Sequence, residues 1–165
     1  MGISAVDKYP EDYDGIVAGA PAVDFLNMNG YRANFFTITG DADSKDYIPI
    51  STWTGLIHDE VLKQCDEIDG VKDGIIEIAN QCHFDPTELL CKDGQEGPDQ
   101  CLNEAQVEQV EKIYAPYRYP DGKLIFPRMN PGNELNAVQR LLSGEPFPHS
   151  VVRSYIAPRL GISLT

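Results

Sequence analysis

Hydrophobic residues recur with a helical period in three parts of the chain. In residues 53–64, Leu56, Ile57, Val61 and Leu62 lie on one face and polar residues on the other, which predicts an amphipathic helix. A second helix is predicted between a capping box that starts at Asn103 and Pro116. A third is predicted over residues 134–143. The residues predicted to face inward in the last two helices are Val107, Val110, Ile113 and Tyr114, and Leu135, Val138, Leu141 and Leu142.

Other segments carry strand and turn signals. Residues 14–20 (DGIVAGA) form a short apolar run that ends in a Gly-Ala-Pro turn, which predicts a short buried strand. Residues 117–127 resemble a β-hairpin with Asp121 and Gly122 in its turn. Residues 85–88 (DPTE) have the form of a helix cap and predict a short helix. Residues 23–51 have no clean period and are interpreted as helix pieces and loop.

Together these elements predict a mostly helical, loop-rich α+β fold with one detached strand at its start. A buried strand needs neighbours in a sheet, and no other segment of the sequence predicts a parallel strand. The chain is therefore interpreted as part of something larger.

Length and composition indicate one folded domain. The chain has 165 residues, of which 42% are hydrophobic and 24% are charged, as is typical of a globular protein with a sizeable core. The net charge of −13 argues against nucleic acid and anionic membranes as partners and makes cation binding easier. No apolar run approaches the ~18 residues of a membrane span. No signal peptide is visible in residues 1–10, which lack an apolar region.

The four cysteines, Cys65, Cys82, Cys91 and Cys101, lie close together in turn-rich sequence. No pair has the C-x-x-C spacing of common zinc sites, and an even number favours two disulfides formed in an oxidising compartment. Four cysteines allow three connectivities. Of these we favour the neighbour pairing, Cys65–Cys82 with Cys91–Cys101. The alternative is that they are buried free thiols in a cytosolic protein.

The acidic stretch that follows Cys65 is the most informative candidate site. Asp66, Asp69 and Asp73 fall within eight residues, and carboxylates so close in sequence repel one another unless a cation neutralises them. Calcium suits such a stretch because it takes about six to eight oxygen ligands in flexible geometry. The stretch is not an EF-hand, since the order of acidic residues and the final glutamate of that motif are missing.

Backbone groups in the same stretch complete the candidate site. The carbonyl groups of Val71 and Ile75 can supply further oxygen ligands, and Gly70 and Gly74 permit the positive φ that a tight loop requires. The alternative is a solvated acidic loop without a metal, because Asp-Gly pairs are common turn formers.

No catalytic motif is recognisable. Residues 2–6, which contain Ser4, come close to a G-x-S-x-G nucleophile elbow but lack the last glycine and a preceding strand. The three histidines, His58, His83 and His149, have no matched nucleophile or metal partner at a recognisable spacing and are interpreted as structural or exposed. The sequence contains no P-loop and no dinucleotide-binding fingerprint.

The order and spacing of several motifs resemble the tannase/feruloyl esterase family over residues 9–140. Residues 9–22 (YPEDYDGIVAGAPA) look like the segment that follows the nucleophilic serine of that family. The resemblance continues through residues 57–58, 65–74 (CDEIDGVKDG) and 82–86 (CHFDP). The remaining matches are Cys91, Cys101-Leu102, Gln106-Val107, Ile113-Tyr114, residues 121–125 and Pro131-Gly132.

This resemblance implies a secreted serine esterase in which an α/β-hydrolase core carries the catalytic triad. A large lid inserted into that core carries a calcium ion and disulfides. The resemblance implies that the lid has the disulfides Cys65–Cys82 and Cys91–Cys101. It also implies that calcium is held by the side chains of Asp66, Asp69 and Asp73 and by the carbonyls of Val71 and Ile75.

The chain departs from the family pattern at the catalytic residues. The family's Cys-Ser-x-Gly-Gly motif lies about one helix before the segment that begins at Tyr9, and Ser4 is too close to Tyr9 to match it. The family's catalytic aspartate and histidine come well after the lid. No residue of this chain is therefore assigned a catalytic role.

The sequence thus predicts a remnant of a hydrolase core in residues 1–22 and a calcium-binding, disulfide-containing lid domain in residues 23–165. In a complete enzyme this lid is expected to shape the pocket for an aromatic ester. Alone, the chain is expected to hydrolyse no ester and to self-associate through exposed apolar surface. The alternatives are a stand-alone calcium-stabilised binding module, or an esterase that is active only with a partner chain carrying the Ser/Asp/His triad.

Overall fold

The structure is a computed structural model that describes residues 2–146. His149 and the part of the predicted lid domain after residue 146 lie outside the described residues. Within them the chain has six α-helices and one two-stranded sheet, so the prediction of a helix-rich α+β fold is confirmed. The helices are α1 Gly2–Lys8, α2 Phe25–Thr39, α3 Ile50–Thr52, α4 His58–Cys65, α5 Glu104–Tyr114 and α6 Glu134–Ala137, and the strands are β1 Tyr117–Arg118 and β2 Leu124–Phe126.

The helical region around Trp53 lies at the centre of the core. Helix α3 continues through a π-helical turn, Trp53–Ile57, into α4, which confirms the predicted helix over residues 53–64. Trp53, Ile57 and Val61 are completely buried. The π-helical turn packs against α6 and against a 3-10 turn at Pro86–Leu89, the short helix predicted after Asp85.

Helix α5 begins and ends as predicted. The side chain of Asn103 accepts the N–H of Gln106 at 2.9 Å, and the side chain of Gln106 accepts the N–H of Asn103 at 3.0 Å. These reciprocal bonds satisfy two N–H groups that a helix start would otherwise leave unpaired. All four residues predicted to face inward are buried: Val107, Val110, Ile113 and Tyr114.

Helix α2 joins α5 to the sheet through aromatic packing. The ring of Tyr31 stacks on Phe126 with centroids 5.1 Å apart and meets Phe35 edge-on at 4.9 Å. Its hydroxyl donates to the carbonyl of Ile113 at 3.4 Å. The sequence predicts only helix pieces here, because the apolar residues of α2 do not form a single stripe. None of the helices in residues 2–146 is both long and apolar enough to cross a membrane.

The predicted β-hairpin is confirmed. Strands β1 and β2 pair antiparallel, with Tyr117 opposite Phe126. Gly122 has a φ of +86° in the connecting turn, a conformation that favours glycine. The hairpin places Phe126 against α2 and so closes one side of the core.

The predicted helix over residues 134–143 is wrong in its length and in part of its orientation. Helix α6 ends at Ala137, and Leu135, predicted to face inward, is 47% exposed, whereas Glu134 is completely buried. The reason is that the Glu134 carboxylate has hydrogen-bond partners inside the protein. These partners decide which side of the segment faces the core. Val138 and Leu142 are buried as predicted.

The predicted strand at residues 14–20 is not present, and Val17 is fully exposed rather than buried. No strand within residues 2–146 lies beside this run. Its backbone N–H and C=O groups therefore have no neighbouring strand with which to form the hydrogen bonds of a sheet. The interpretation of residues 1–22 as the remnant of a hydrolase core stays a prediction.

Replacing Asn103 with alanine should lower the free energy of unfolding by about 1 kcal/mol, because the N–H of Gln106 loses its acceptor. Urea unfolding followed by circular dichroism measures this change. Asn103→Ser is the matched control, since serine also caps helices but cannot make the bond from Asn103 Nδ2 to Asp46. If both variants lose equal stability, the cap is not what Asn103 contributes.

Candidate functional site

The acidic loop, residues 66–75, begins where α4 ends. Residues Asp66–Asp69 form a 3-10 turn, and the chain then reverses at Gly70 and Gly74, whose φ angles are +92° and +78°. Both glycines therefore adopt the left-handed conformation that the two Asp-Gly pairs predict. This backbone course keeps the three aspartates in one compact loop.

The carboxylates of the acidic loop accept hydrogen bonds from its own backbone. Asp66 accepts the N–H of Gly74 at 3.0 and 3.2 Å, and so joins the two ends of the loop. Asp69 accepts the N–H of Val71 at 2.9 Å, and Asp73 accepts that of Ile75 at 3.0 Å. These bonds use one oxygen each of Asp69 and Asp73 and leave the second oxygen available.

The charges of the acidic loop are poorly compensated. Asp66 is only 6% exposed, yet none of the three aspartates forms an ion pair with any residue from 2 to 146. The one lysine of the loop, Lys72, pairs with Glu67 at 3.4 Å. The loop thus holds negative charge without a cationic side chain against its aspartates.

The donor chemistry fits a hard divalent cation, because all the candidate ligands are oxygens. The acidic side chains of the loop, however, do not by themselves form a complete metal site. Within residues 2–146, no group of three or more histidine, cysteine, aspartate or glutamate side chains is placed so that it could hold a metal ion. The calcium assignment to Asp66, Asp69, Val71, Asp73 and Ile75 therefore stays a prediction.

Both disulfides favoured from the sequence are present. Cys65 is bonded to Cys82 and Cys91 to Cys101, and none of the four is a free thiol. The Cys65–Cys82 bond joins the residue before the acidic loop to the segment after it. The Cys91–Cys101 bond lies beside a bridge between Leu90 and Leu102.

Hydrophobic burial contributes little to holding the acidic loop. Its large apolar side chains, Ile68, Val71 and Ile75, are 38%, 55% and 58% exposed. The loop is instead fixed by the aspartate–backbone bonds, by the Cys65–Cys82 disulfide and by the segments packed behind it. Removing any one of these should loosen the loop more than the core.

A buried polar cluster is formed by Glu134, His58, Tyr114 and the backbone of Gly132, and Gly132 lines a cleft together with Gly74 of the acidic loop. His58 Nδ1 lies 2.7 Å from Glu134 Oε2. Glu134 Oε1 accepts the Tyr114 hydroxyl and the N–H of Gly132, the latter at 2.9 Å. Burial, together with the Glu134 carboxylate, raises the pKa of Tyr114 well above its ordinary value.

The Glu134 cluster is the part of the site that the sequence does not reveal. His58 is interpreted from the sequence as structural or exposed, and its side chain is in fact 14% exposed and bound to Glu134. The two residues are 76 positions apart, so no local pattern relates them. His83 is exposed.

Ser4, which the sequence analysis compares with a nucleophile elbow but assigns no catalytic role, lies on α1 and is exposed. No hydrogen bond among residues 2–146 joins a serine hydroxyl to a histidine ring. Ser4 instead lines an open cleft of about 640 Å³ between α1 and residues 17–23. This cleft has no titratable group other than Asp7 along its lining.

Comparison with known proteins identifies the family of the chain. The model of the family described as "Tannase and feruloyl esterase" matches residues 1–142. The chain therefore belongs to the tannase and feruloyl esterase family of ester hydrolases.

Curated relatives support the same assignment. The "Probable feruloyl esterase B-2" of Aspergillus flavus is 51% identical over 150 residues, which cover 91% of this chain and 28% of that protein. The "Probable feruloyl esterase B" of Aspergillus clavatus is 43% identical over the same shares of both chains. The chain thus spans less than a third of the length of these relatives.

A solved structure has a similar fold. The crystal structure of feruloyl esterase B from Aspergillus oryzae matches with a TM-score of 0.87 and 38% identity. The match covers 94% of this chain and 31% of that one. The fold described here therefore corresponds to about a third of that esterase chain.

Stability should fall as the pH rises above about 10, because tyrosines in the unfolded chain ionise near that value. Burial raises the pKa of Tyr31 to about 12 and that of Tyr114 well above its ordinary value. Their contribution is thus complete below pH 10 and is lost as the pH rises toward the folded-state pKa. Each shifted tyrosine adds a slope of about 1.4 kcal/mol per pH unit in that window.

Urea unfolding between pH 9 and pH 11 tests this expectation in wild type and in Tyr114→Phe. The variant should lose stability less steeply over this range. Tyr119→Phe is the control, because Tyr119 is 45% exposed and its replacement should leave the slope unchanged. An identical slope in Tyr114→Phe and wild type would refute the assignment.

Proposed function

We propose that this chain is the lid portion of a carboxylic ester hydrolase that acts on esters of aromatic acids. The proposal rests on the match to feruloyl esterases. The match covers nearly the whole of this chain but less than a third of the length of each feruloyl esterase. In the complete protein the lid shapes the pocket that receives the aromatic group. The chemistry of ester cleavage belongs to a part of the protein that carries the Ser/Asp/His triad.

The exposed apolar side chains at the start of the chain support the proposal that the chain packs against a further part of the protein. Among residues 2–146, seven of the fifteen large hydrophobic residues with high exposure fall between residues 3 and 26. They are Ile3, Tyr9, Tyr13, Val17, Val23, Phe25 and Leu26. Exposed apolar surface is typical of a region that packs against another body, and in the isolated chain it favours self-association.

We further propose that the acidic loop binds calcium, with Asp66, Asp69 and Asp73 as carboxylate ligands and Val71 and Ile75 as carbonyl ligands. The support is chemical: the donors are oxygens, the aspartates lack ion-pair partners among the described residues, and little apolar burial holds the loop. Calcium supplies the missing positive charge and, by binding only the folded loop, stabilises it.

Disulfides support a proposal about location. Two disulfides and no free thiol in the described residues suit a protein that is exported to an oxidising environment. We therefore propose that the protein is secreted.

Two other functions fit part of the same observations. A stand-alone, calcium-stabilised binding module agrees with the buried core and with the loop, but the cleft beside Ser4 and the cleft beside Gly132 are both open to solvent. An esterase that is active only with a partner chain bearing the triad agrees with the exposed apolar patch. Addition of that partner to the purified chain would distinguish the second function from the first.

Chelation of calcium should lower the melting temperature of the chain. At a free calcium concentration 100 times the Kd, the bound ion adds about 2.7 kcal/mol of stability. Melting in calcium and in EGTA should therefore differ for wild type and agree for Asp69→Ala, which lacks one carboxylate ligand.

Asp121→Ala is the matched control for this experiment. Asp121 also precedes a glycine and accepts a backbone N–H, that of Lys123 at 2.9 Å, but it lies in the β-hairpin. This variant should keep the full response to EGTA. The calcium proposal fails if the melting temperature of wild type is the same in calcium and in chelator.

The chain alone should hydrolyse methyl ferulate, methyl gallate and nitrophenyl acetate no faster than a denatured control. Acyl transfer needs a nucleophile, a base that activates it and oxyanion donors held together, and Ser4 has no histidine partner among residues 2–146. Feruloyl esterase B from Aspergillus oryzae serves as the positive control of the assay. Turnover that disappears in Ser4→Ala would contradict the proposal and make Ser4 a nucleophile.

A further inference from the structure

We infer that Glu134 is a positioning residue. From inside the core, it fixes the positions of the two ends of the acidic loop relative to each other. Glu134 contacts no candidate calcium ligand. It acts through His58, on the helix that leads into the loop, and through Gly132, which lies against the residue that follows the loop. The loop and the buried Glu134 cluster are therefore expected to move together.

The connection to the start of the loop runs along α4. His58, the first residue of α4, lies 2.7 Å from Glu134, and Cys65, its last residue, directly precedes Asp66. A helix of eight residues is stiff because its backbone hydrogen bonds are internal. Val61 on the same helix is completely buried. The position of Asp66 is therefore fixed by the position of α4, which the bond to Glu134 helps to set.

The connection to the end of the loop runs through the turn at Gly132. Glu134 accepts the N–H of Gly132, whose φ of +91° places its backbone directly against Ile76. A β-carbon added to Gly132 would lie 3.4 Å from the Ile76 side chain. Ile76 packs against the core and follows Ile75, the last candidate ligand. The bond to Glu134 therefore fixes the surface on which the end of the loop rests.

A neighbouring arginine strengthens this second connection. Arg128 donates to the carbonyl of Cys82 at 2.7 Å and to that of Ala79 at 3.3 Å. The segment after the loop is thus tied to the segment that carries Glu134 at two further points. Gly74 and Gly132 also line the same cleft of about 430 Å³, so the end of the loop lies near the turn.

The chemistry of Glu134 explains why one residue can perform this function. A fully buried carboxylate is costly unless its oxygens accept hydrogen bonds. Here the two oxygens have three partners from three separate segments: His58, Tyr114 and Gly132. Displacing any of these segments leaves the carboxylate short of a partner. The cost of that loss resists independent movement of α4 and the Gly132 turn.

Amide hydrogen exchange of the whole chain in EGTA tests the inference without calcium. The probe is the N–H of Gly74, which reaches across the loop to Asp66. In Glu134→Ala this amide should exchange at least about tenfold faster than in wild type, because the two ends of the loop are no longer held. Glu134→Gln should restore slow exchange, since glutamine can accept from Gly132 and Tyr114 and donate to His58.

A second loop in the same chain separates local from general loosening. The amides of Gln95 and Gln100 are also hydrogen-bonded in a disulfide-closed loop, between Cys91 and Cys101, but do not contact Glu134. They should keep their wild-type exchange rates in Glu134→Ala. The exposed control Glu111→Ala should alter neither loop.

Three results would overturn the inference: unchanged exchange at Gly74 in Glu134→Ala, equal acceleration at Gly74 and Gln95, or no restoration by Glu134→Gln. If Glu134→Ala does not fold, His58→Ala carries the same test. Alanine at that position has no atom that can bond to Glu134 Oε2, and it leaves the bond from Gly132 to Glu134 in place. Gly74 should again exchange faster than in wild type, and an unchanged rate would count against Glu134 as a positioning residue.

The consequence for calcium rests on the proposed function. If wild type binds calcium, calorimetric titration should give a Kd about tenfold higher for Glu134→Ala, and one close to wild type for Glu134→Gln. An unchanged Kd in Glu134→Ala would contradict the positioning role. If wild type binds no calcium, the calcium proposal fails, whereas the exchange rate of Gly74 still decides the role of Glu134.

Discussion

The buried carboxylate of Glu134 is the interaction on which the arrangement of this chain depends most. It accepts bonds from His58 on α4, from Tyr114 at the end of α5 and from the Gly132 turn. Three segments that are distant in sequence therefore meet at one fully buried charge. Because each bond compensates part of the desolvation cost of that charge, moving any one segment away from Glu134 is unfavourable. The acidic loop begins and ends on two of them.

This arrangement separates two uses of carboxylates in a chain with a net charge of −13. Glu134 is buried and satisfied by hydrogen-bond donors, so it needs no ion. Asp69 and Asp73 are exposed and accept only backbone N–H groups, while Asp66 is buried and accepts the N–H of Gly74. The Cys65–Cys82 disulfide and the Gly70 and Gly74 turns shape the loop but do not neutralise it. A cation is the component that would do so.

Local signals in the sequence predict the local parts of this structure. The capping box at Asn103, the stripe that contains Ile57 and Val61, and the hairpin turn at Gly122 all depend on residues a few positions apart, and all are found as predicted. The predictions are wrong where contacts with residues distant in sequence determine the local structure. Leu135 is exposed because Glu134 turns inward to His58, and residues 14–20 form no strand because no neighbouring strand is present among the described residues. The acidic loop was recognisable from composition, whereas the cluster that positions it joins residues 76 positions apart and has no local signature.

The chain belongs to the tannase and feruloyl esterase family, and in the lid function that we propose for it the loop, the disulfides and the buried cluster would keep the shape of the lid. A crystal structure of the chain grown with calcium, with anomalous scattering to identify the ion, is the most direct test of the proposed calcium site. We expect one calcium ion in the acidic loop, about 2.3–2.6 Å from oxygens of Asp66, Asp69 and Asp73 and from the carbonyls of Val71 and Ile75. A loop that keeps its aspartate–backbone bonds and contains no ion at saturating calcium would contradict the calcium proposal.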